Sequence, residues 1–155
     1  MPTLTCREYN PTTGSFVGNV TSLSFGNTNV GSHTPVKIVD FAFTGVTSVS
    51  DVKLGLLDSG GLSVNDSPED IGTDGSSANG SFGIMHSSSF DLQTAAGPLT
   101  RHFAGLSTGG AGDSNNVEIG TRGVAVTQFV YLDLELGASD LGDGSALMKV
   151  YLDFT

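Results

Sequence analysis

Residues able to do chemistry are few in this chain, and their spacing is loose. The three histidines, His33, His86 and His102, are scattered, and no Gly-x-Ser-x-Gly elbow presents a serine to one of them. Asp133 and Glu135 stand two positions apart on one face of an alternating segment, as the paired carboxylates of a glycosidase could. Two acids on a solvated strand face give the same pattern. Asp66, Glu69, Asp70 and Asp74, and separately Asp140 and Asp143 beside Gly144, offer the hard oxygen ligands that calcium takes. Neither stretch has the spaced acids and closing glutamate of an EF-hand loop, and turns built from Asp and Gly account for both. The Gly-Lys-Ser/Thr of a phosphate loop is absent. Cys6 stands alone, so neither an intrachain disulfide nor a multi-cysteine metal centre can form. The expectation is a protein without catalytic residues, metal ligands or a cofactor.

Composition narrows the partners. The chain has 155 residues, enough for one domain with its own core. Its 16 acids against 6 bases give a net charge of −10. No base falls between Lys53 and Arg101, whereas Asp58, Asp66, Glu69, Asp70, Asp74 and Asp91 all do. Such a surface repels phosphate backbones and anionic lipid, which argues against nucleic-acid and membrane binding. Residues Met1–Thr5 lack the basic region and apolar stretch of a signal peptide, and no apolar run reaches membrane-spanning length. The expectation is therefore synthesis in a cytoplasm, with no use made of the glycosylation sequons at Asn19, Asn65 and Asn79.

The elements that must position these residues read as strands. Helix formers are scarce, and 22 glycines suit many tight reversals. A first strand is expected near Val20–Phe25, followed by a loop over Gly26–Thr34 and by Val36–Phe43, which has apolar residues on both faces with Asp40 among them. Val46–Val49 and Val52–Leu57 read as strands, the second with a helical turn as its alternative. Residues 58–80 read as a long loop and 107–116 as a crossover, with weaker strands at Ser81–His86 and Leu99–Ala104. Val124–Leu136 and Leu147–Phe154 alternate as half-buried antiparallel strands with one wet face. The sum is an all-β chain, a single-domain antiparallel β-sandwich of immunoglobulin-like or jelly-roll-like kind. Phe41, Phe43, Val130, Leu132, Val150 and Leu152 are the expected core.

Residues 1–16 lack this alternation and are set apart from a sandwich domain over 17–155. Leu4, Arg7, Tyr9 and Phe16 lie here amid polar residues, and Tyr and Arg are favoured interface anchors. Two readings stay open: an intersubunit arm held by a neighbouring chain, with these four residues at the interface, or an ordinary first strand.

Ser24-Phe25-Gly26-Asn27, the Gly31-Ser32-His33 turn, Val36–Phe43, Val52-Lys53-Leu54-Gly55-Leu56, and the strands carrying Tyr131-Leu132-Asp133 and Tyr151-Leu152-Asp153 follow one another in a telling order. The layout resembles the small β-sandwich accessory proteins of tailed-bacteriophage virions, namely capsid decoration (cement) proteins and neck or tail components. The resemblance implies a virion structural protein made in the host cytoplasm, a homo-oligomer bridging coat subunits on the outside of the particle. Its implied partners are the major capsid protein or tail and neck components, and it carries over no catalytic residue. The alternative is a carbohydrate-binding or receptor-binding module of a tail or neck fibre.

Overall fold

Alternating apolar residues commit a strand to cover on at least one face, and the chain meets that demand by stacking two antiparallel sheets. The computed structural model describes residues 1–27, 29, 32, 34–58, 81–90, 92, 116–135 and 147–155. Among them are ten strands: β1 (Thr3–Tyr9), β2 (Phe16–Val20), β3 (Lys37–Thr44), β4 (Val49–Asp58), β5 (Ser81–Ser87), β6 (Val117–Glu118), β7 (Thr121–Gly123), β8 (Val126–Thr127), β9 (Phe129–Glu135) and β10 (Leu147–Phe154). Sheet A has seven strands, running β2-β1-β3 and then dividing. Along its far edge β3 pairs β9 at one end and β8 at the other; β9 continues to β5, and β8 to β7. Sheet B has three strands in the order β10-β4-β6. The architecture is an antiparallel β-sandwich.

The core lies between the sheets. Val39, Phe41, Phe43, Val130, Leu132 and Leu134 of sheet A meet Val49, Val52 and Leu54 of sheet B, with Ile84 and Ile119 closing the layer. Of the residues expected inside, Phe41, Phe43, Val130 and Leu132 are buried, while Val150 and Leu152 are half-buried and pack against this cluster. A second, smaller cluster covers the outer face of sheet A, where Val36, Ile38 and Tyr131 lie beneath Tyr9, Met85, Phe90 and Phe129.

That second layer overturns one expectation. The outer face of β9 is not wet: Tyr131 and Asp133 are both fully buried. The strand lies inside sheet A between β3 and β5, and its outer face has its own apolar cover. Nor is Val124–Leu136 one strand. Val124 and Ala125 form the turn between β7 and β8, Gln128 interrupts the run, and Val124 is left exposed.

Two other boundaries move. Residues 21–25 are not a strand, because β2 ends at Val20 where it pairs Cys6. The β1–β2 hairpin fixes that register: the Asn10 carboxamide accepts the N–H groups of Thr12 and Thr13 at 2.9 Å each, an Asx turn. Of the two strands expected over 46–57, residues 46–48 are not in a strand, and Val49 joins the second in one strand, β4, with a bulge in which Asp51 and Val52 together face Leu152. Asp51 carries the left-handed φ of 48° that this requires, and aspartate is among the residues that tolerate it. Ser81–Ser87 and Leu147–Phe154 form where the alternation places them. Leu99–Ala104 and the loop readings at 58–80 and 107–115 fall outside the described residues, apart from Asp58, which ends β4.

Of the two readings of residues 1–16, the described chain takes the ordinary strand. All seven residues of β1 pair antiparallel with β3, from Thr3 opposite Thr44 to Tyr9 opposite Ile38, and β1 pairs β2 on its other side. Its weak alternation has a physical cause. The inward positions hold Leu4, Cys6 and Glu8, and two of the outward ones, Arg7 and Tyr9, serve a buried charge.

Candidate functional site

That charge is Asp40. On β3 it sits between Ile38 and Ala42 on the outer face of sheet A, and it is fully buried. The β1–β3 register sets Arg7 directly across from it, with Tyr9 on the same face two positions along. Arg7 grips both carboxylate oxygens as a fork, Nε donating to Oδ1 at 2.7 Å and Nη2 to Oδ2 at 2.6 Å. The Tyr9 hydroxyl donates to Oδ2 at 3.1 Å. Arg122 of β7 donates to the same oxygen through Nη2. Its guanidinium also lies over the Phe129 ring, 4.3 Å from the centroid.

An ionised carboxylate accepts about four hydrogen bonds, and Asp40 receives four. Three of these fall on Oδ2 and one on Oδ1, so both oxygens are engaged by groups of the same chain. The partners feel the charge in turn. Hydrogen bonding to Asp40 raises the Arg7 pKa, and burial, then Asp40, raises that of Tyr9. Rings close the cluster from outside. Tyr9 meets Phe129 edge-on at 5.3 Å, Phe90 meets Phe129 at 5.2 Å, and Phe16 stacks against Tyr9 at 5.9 Å. This is a satisfied, desolvated network of the kind that fixes strand register.

A second place is open instead of closed. Where sheet A passes beyond the last strand of sheet B, a cleft of about 340 Å³ lies between Leu4, Phe43, Val46, Val150, Leu152 and Phe154. Its origin is the unequal width of the sheets. Leu4 and Phe43 are register partners facing inward, but among the described residues sheet B ends at β10. Leu4 is therefore 50% exposed and Phe154 57% exposed. Close by, the Met1 backbone runs against Gly45: a Cβ there would lie 3.0 Å from the Met1 carbonyl oxygen, and Gly45 has φ 72°.

The candidates from sequence separate accordingly. Arg7 and Tyr9, nominated as interface anchors, spend their polar groups on Asp40, whereas Leu4 and Phe16 are on the surface, at opposite ends of the β1–β2 hairpin. Asp133 is buried in β9, away from solvent. His86 is bonded through Nδ1 to Gln128 at 2.8 Å. His33, His102 and the acids Asp66, Glu69, Asp70, Asp74, Asp140 and Asp143 lie outside the described residues. Sequence reasoning missed Asp40 and Arg122. The signal for the first was present, an acid among the apolar residues Val36, Ile38 and Ala42 on one face of a strand that is apolar on both. No family model, curated protein or solved structure matches this chain.

Proposed function

We propose that this protein is a structural component that assembles with other protein chains, as a decoration protein on the outside of a phage capsid. The observation that carries the reading is the open seam beside β10, where Leu4 and Phe154 are half or more exposed around an apolar cleft. Exposed apolar groups grouped in this way mark contact sites. The charged cluster supports it from the other side, since Asp40 is bonded through both oxygens to its own chain and ties β1, β3 and β7 together. A rigid sandwich with an apolar edge suits a part whose work is to bury surface across neighbouring subunits. A glycan- or receptor-binding module is the second reading, favoured by Phe16, 57% exposed beside Tyr9.

Density-gradient purification of particles from the native source tests the first reading. The chain is expected in the particle band in constant ratio to the coat protein. Recovery only as soluble protein sinks the reading, and retention on a glycan array would then favour the second.

A further inference from the structure

We propose that the outer face of sheet A, around Arg7 and Arg122, takes a carboxylate side chain of a partner protein, flanked in that partner by apolar residues. The inference deepens the assembly reading above and rests on it, since a part that bridges neighbours needs a second contact besides the seam. Leu4 faces inward from β1 whereas Arg7 and Tyr9 face outward, so the two surfaces lie on opposite faces of the sheet.

Closure of the cluster is complete for Asp40 and incomplete for its cations. The carboxylate is fully buried, whereas the Arg7 and Arg122 side chains are 30% and 25% exposed. Arg7 spends Nε and Nη2 on Asp40, and Arg122 spends Nη2. Nη1 of both and Nε of Arg122 have no hydrogen-bond acceptor among the described residues. Both Nη2 atoms sit on one oxygen, Oδ2, which sets the guanidiniums side by side, two cations to one anion. Other acids do not redress the balance. Glu8 faces inward and holds Lys37, and Asp133 and Glu135 lie four and six positions beyond Phe129 on β9, about 13 and 20 Å along the strand.

Charge and surroundings select the occupant. A carboxylate presents two coplanar acceptors that match guanidinium N–H groups, and it cancels the excess cation. The rim is apolar: Phe16, Val17 and Leu92 are 57%, 59% and 54% exposed. Phe16 stands against the Tyr9 ring, and Leu92 lies beside Gly14 in the β1–β2 connection. Arginine and tyrosine within a rim of exposed apolar groups is the make-up of an interface centre. An Asp or Glu with apolar neighbours complements it in charge and in cover.

NMR of the arginine Nε–H groups in the full chain tests this at constant ionic strength with three probes: the blocked peptide Leu-Glu-Leu, its neutral counterpart Leu-Gln-Leu, and sodium acetate. The glutamate peptide is expected to shift the Nε–H signals of Arg7 and Arg122 saturably. The glutamine peptide and acetate should each bind about tenfold more weakly, the first lacking the charge and the second the apolar flanks. Phe16→Ser should weaken the glutamate peptide severalfold, while the Arg7 Nε–H, held by Asp40, keeps its parent position in the free protein. The proposal is overturned by no saturable shift with the glutamate peptide, by equal binding of the glutamine peptide, or by an unchanged affinity in F16S. Acetate binding as tightly as the glutamate peptide also overturns it, and would make this a site for free anions. Failure here with the chain still found on particles leaves the assembly reading standing. Peptide binding by a chain absent from particles does the reverse.

Discussion

The outer face of sheet A and the seam at β10 make opposite use of their side chains. The outer face collects the residues that look functional, two arginines, a tyrosine, an aspartate and several rings, and closes them on one another. The seam is lined mainly by aliphatic and phenyl groups and leaves Leu4 and Phe154 exposed. Chemical potential is thus a poor guide to availability in this protein. A charged group that is buried must be satisfied by its own fold, whereas an apolar group at a sheet boundary is satisfied only when something arrives. The cluster ties β1, β3 and β7 together, and the seam leaves apolar surface uncovered by the described residues.

The sharpest way to break that contrast is to strip Asp40 of its cations. Replacing Arg7 and Arg122 together by alanine leaves a fully buried carboxylate with Tyr9 as its remaining partner, and should destabilise the fold by about 3–5 kcal/mol in denaturant titrations. Adding Asp40→Asn to that variant should restore part of the loss by removing the orphaned charge. If the double variant is as stable as the parent, the cluster is a solvated surface ion pair and not a lock on register. Core truncation comes next in size. Leu132 is fully buried between the sheets, and Leu132→Ala should cost about 2–5 kcal/mol through lost transfer energy and a cavity. A negligible change would mean that the inner and outer faces of β9 have been exchanged.

Legibility in sequence followed the same division. β3, β5 and β10 could be read because covered strands impose a period of two on their side chains. β1 could not, since Arg7 and Tyr9 answer Asp40, 33 and 31 residues away, a pairing that exists only once the register does. β9 was half legible. Its inner face followed the alternation, but Tyr131 and Asp133 read as wet because nothing in the segment tells that Phe90 and Met85 cover that face. The seam had no sequence signature, because it arises from where sheet B stops. Asp40 marked the cluster, and its apolar neighbours gave the hint.

Cys6 sharpens the comparison, since it lies between the two regions, inward on β1 and against the core. Burial, then Asp40 and Glu8, pushes its thiol from an ordinary 9.0 up to about 11. The unfolded thiol therefore ionises first. Stability should be unaffected by this group below pH 9.0 and fall as pH rises from there through about 11, with Tyr9, also raised, acting in the same direction. Cys6→Ser should flatten part of that decline. At pH 8 the native thiol should react with a maleimide or disulfide reagent about a hundredfold more slowly than an unfolded one, from its smaller thiolate fraction. Labelling at the unfolded rate would show that the seam admits water along β1 as far as Cys6.

The smallest effect on stability belongs to the residue expected to matter most for assembly. Leu4 is 50% exposed at the mouth of the seam, so Leu4→Lys can lay its methylene stem over Phe43 and keep its ammonium in water. Folding stability should change by no more than about 0.5 kcal/mol, which is a shift of about 1–2 °C in melting temperature for a domain of this size. Association with particles should nevertheless fall, because the added charge would be buried whenever the partner is bound. Val124→Lys serves as the control: Val124 is 74% exposed in the β7–β8 turn and takes no part in the seam, so neither stability nor association should move. A large drop in melting temperature for Leu4→Lys would make the seam part of the core. Normal association for Leu4→Lys alongside impaired association for Val124→Lys would move the contact surface to the β7–β8 turn.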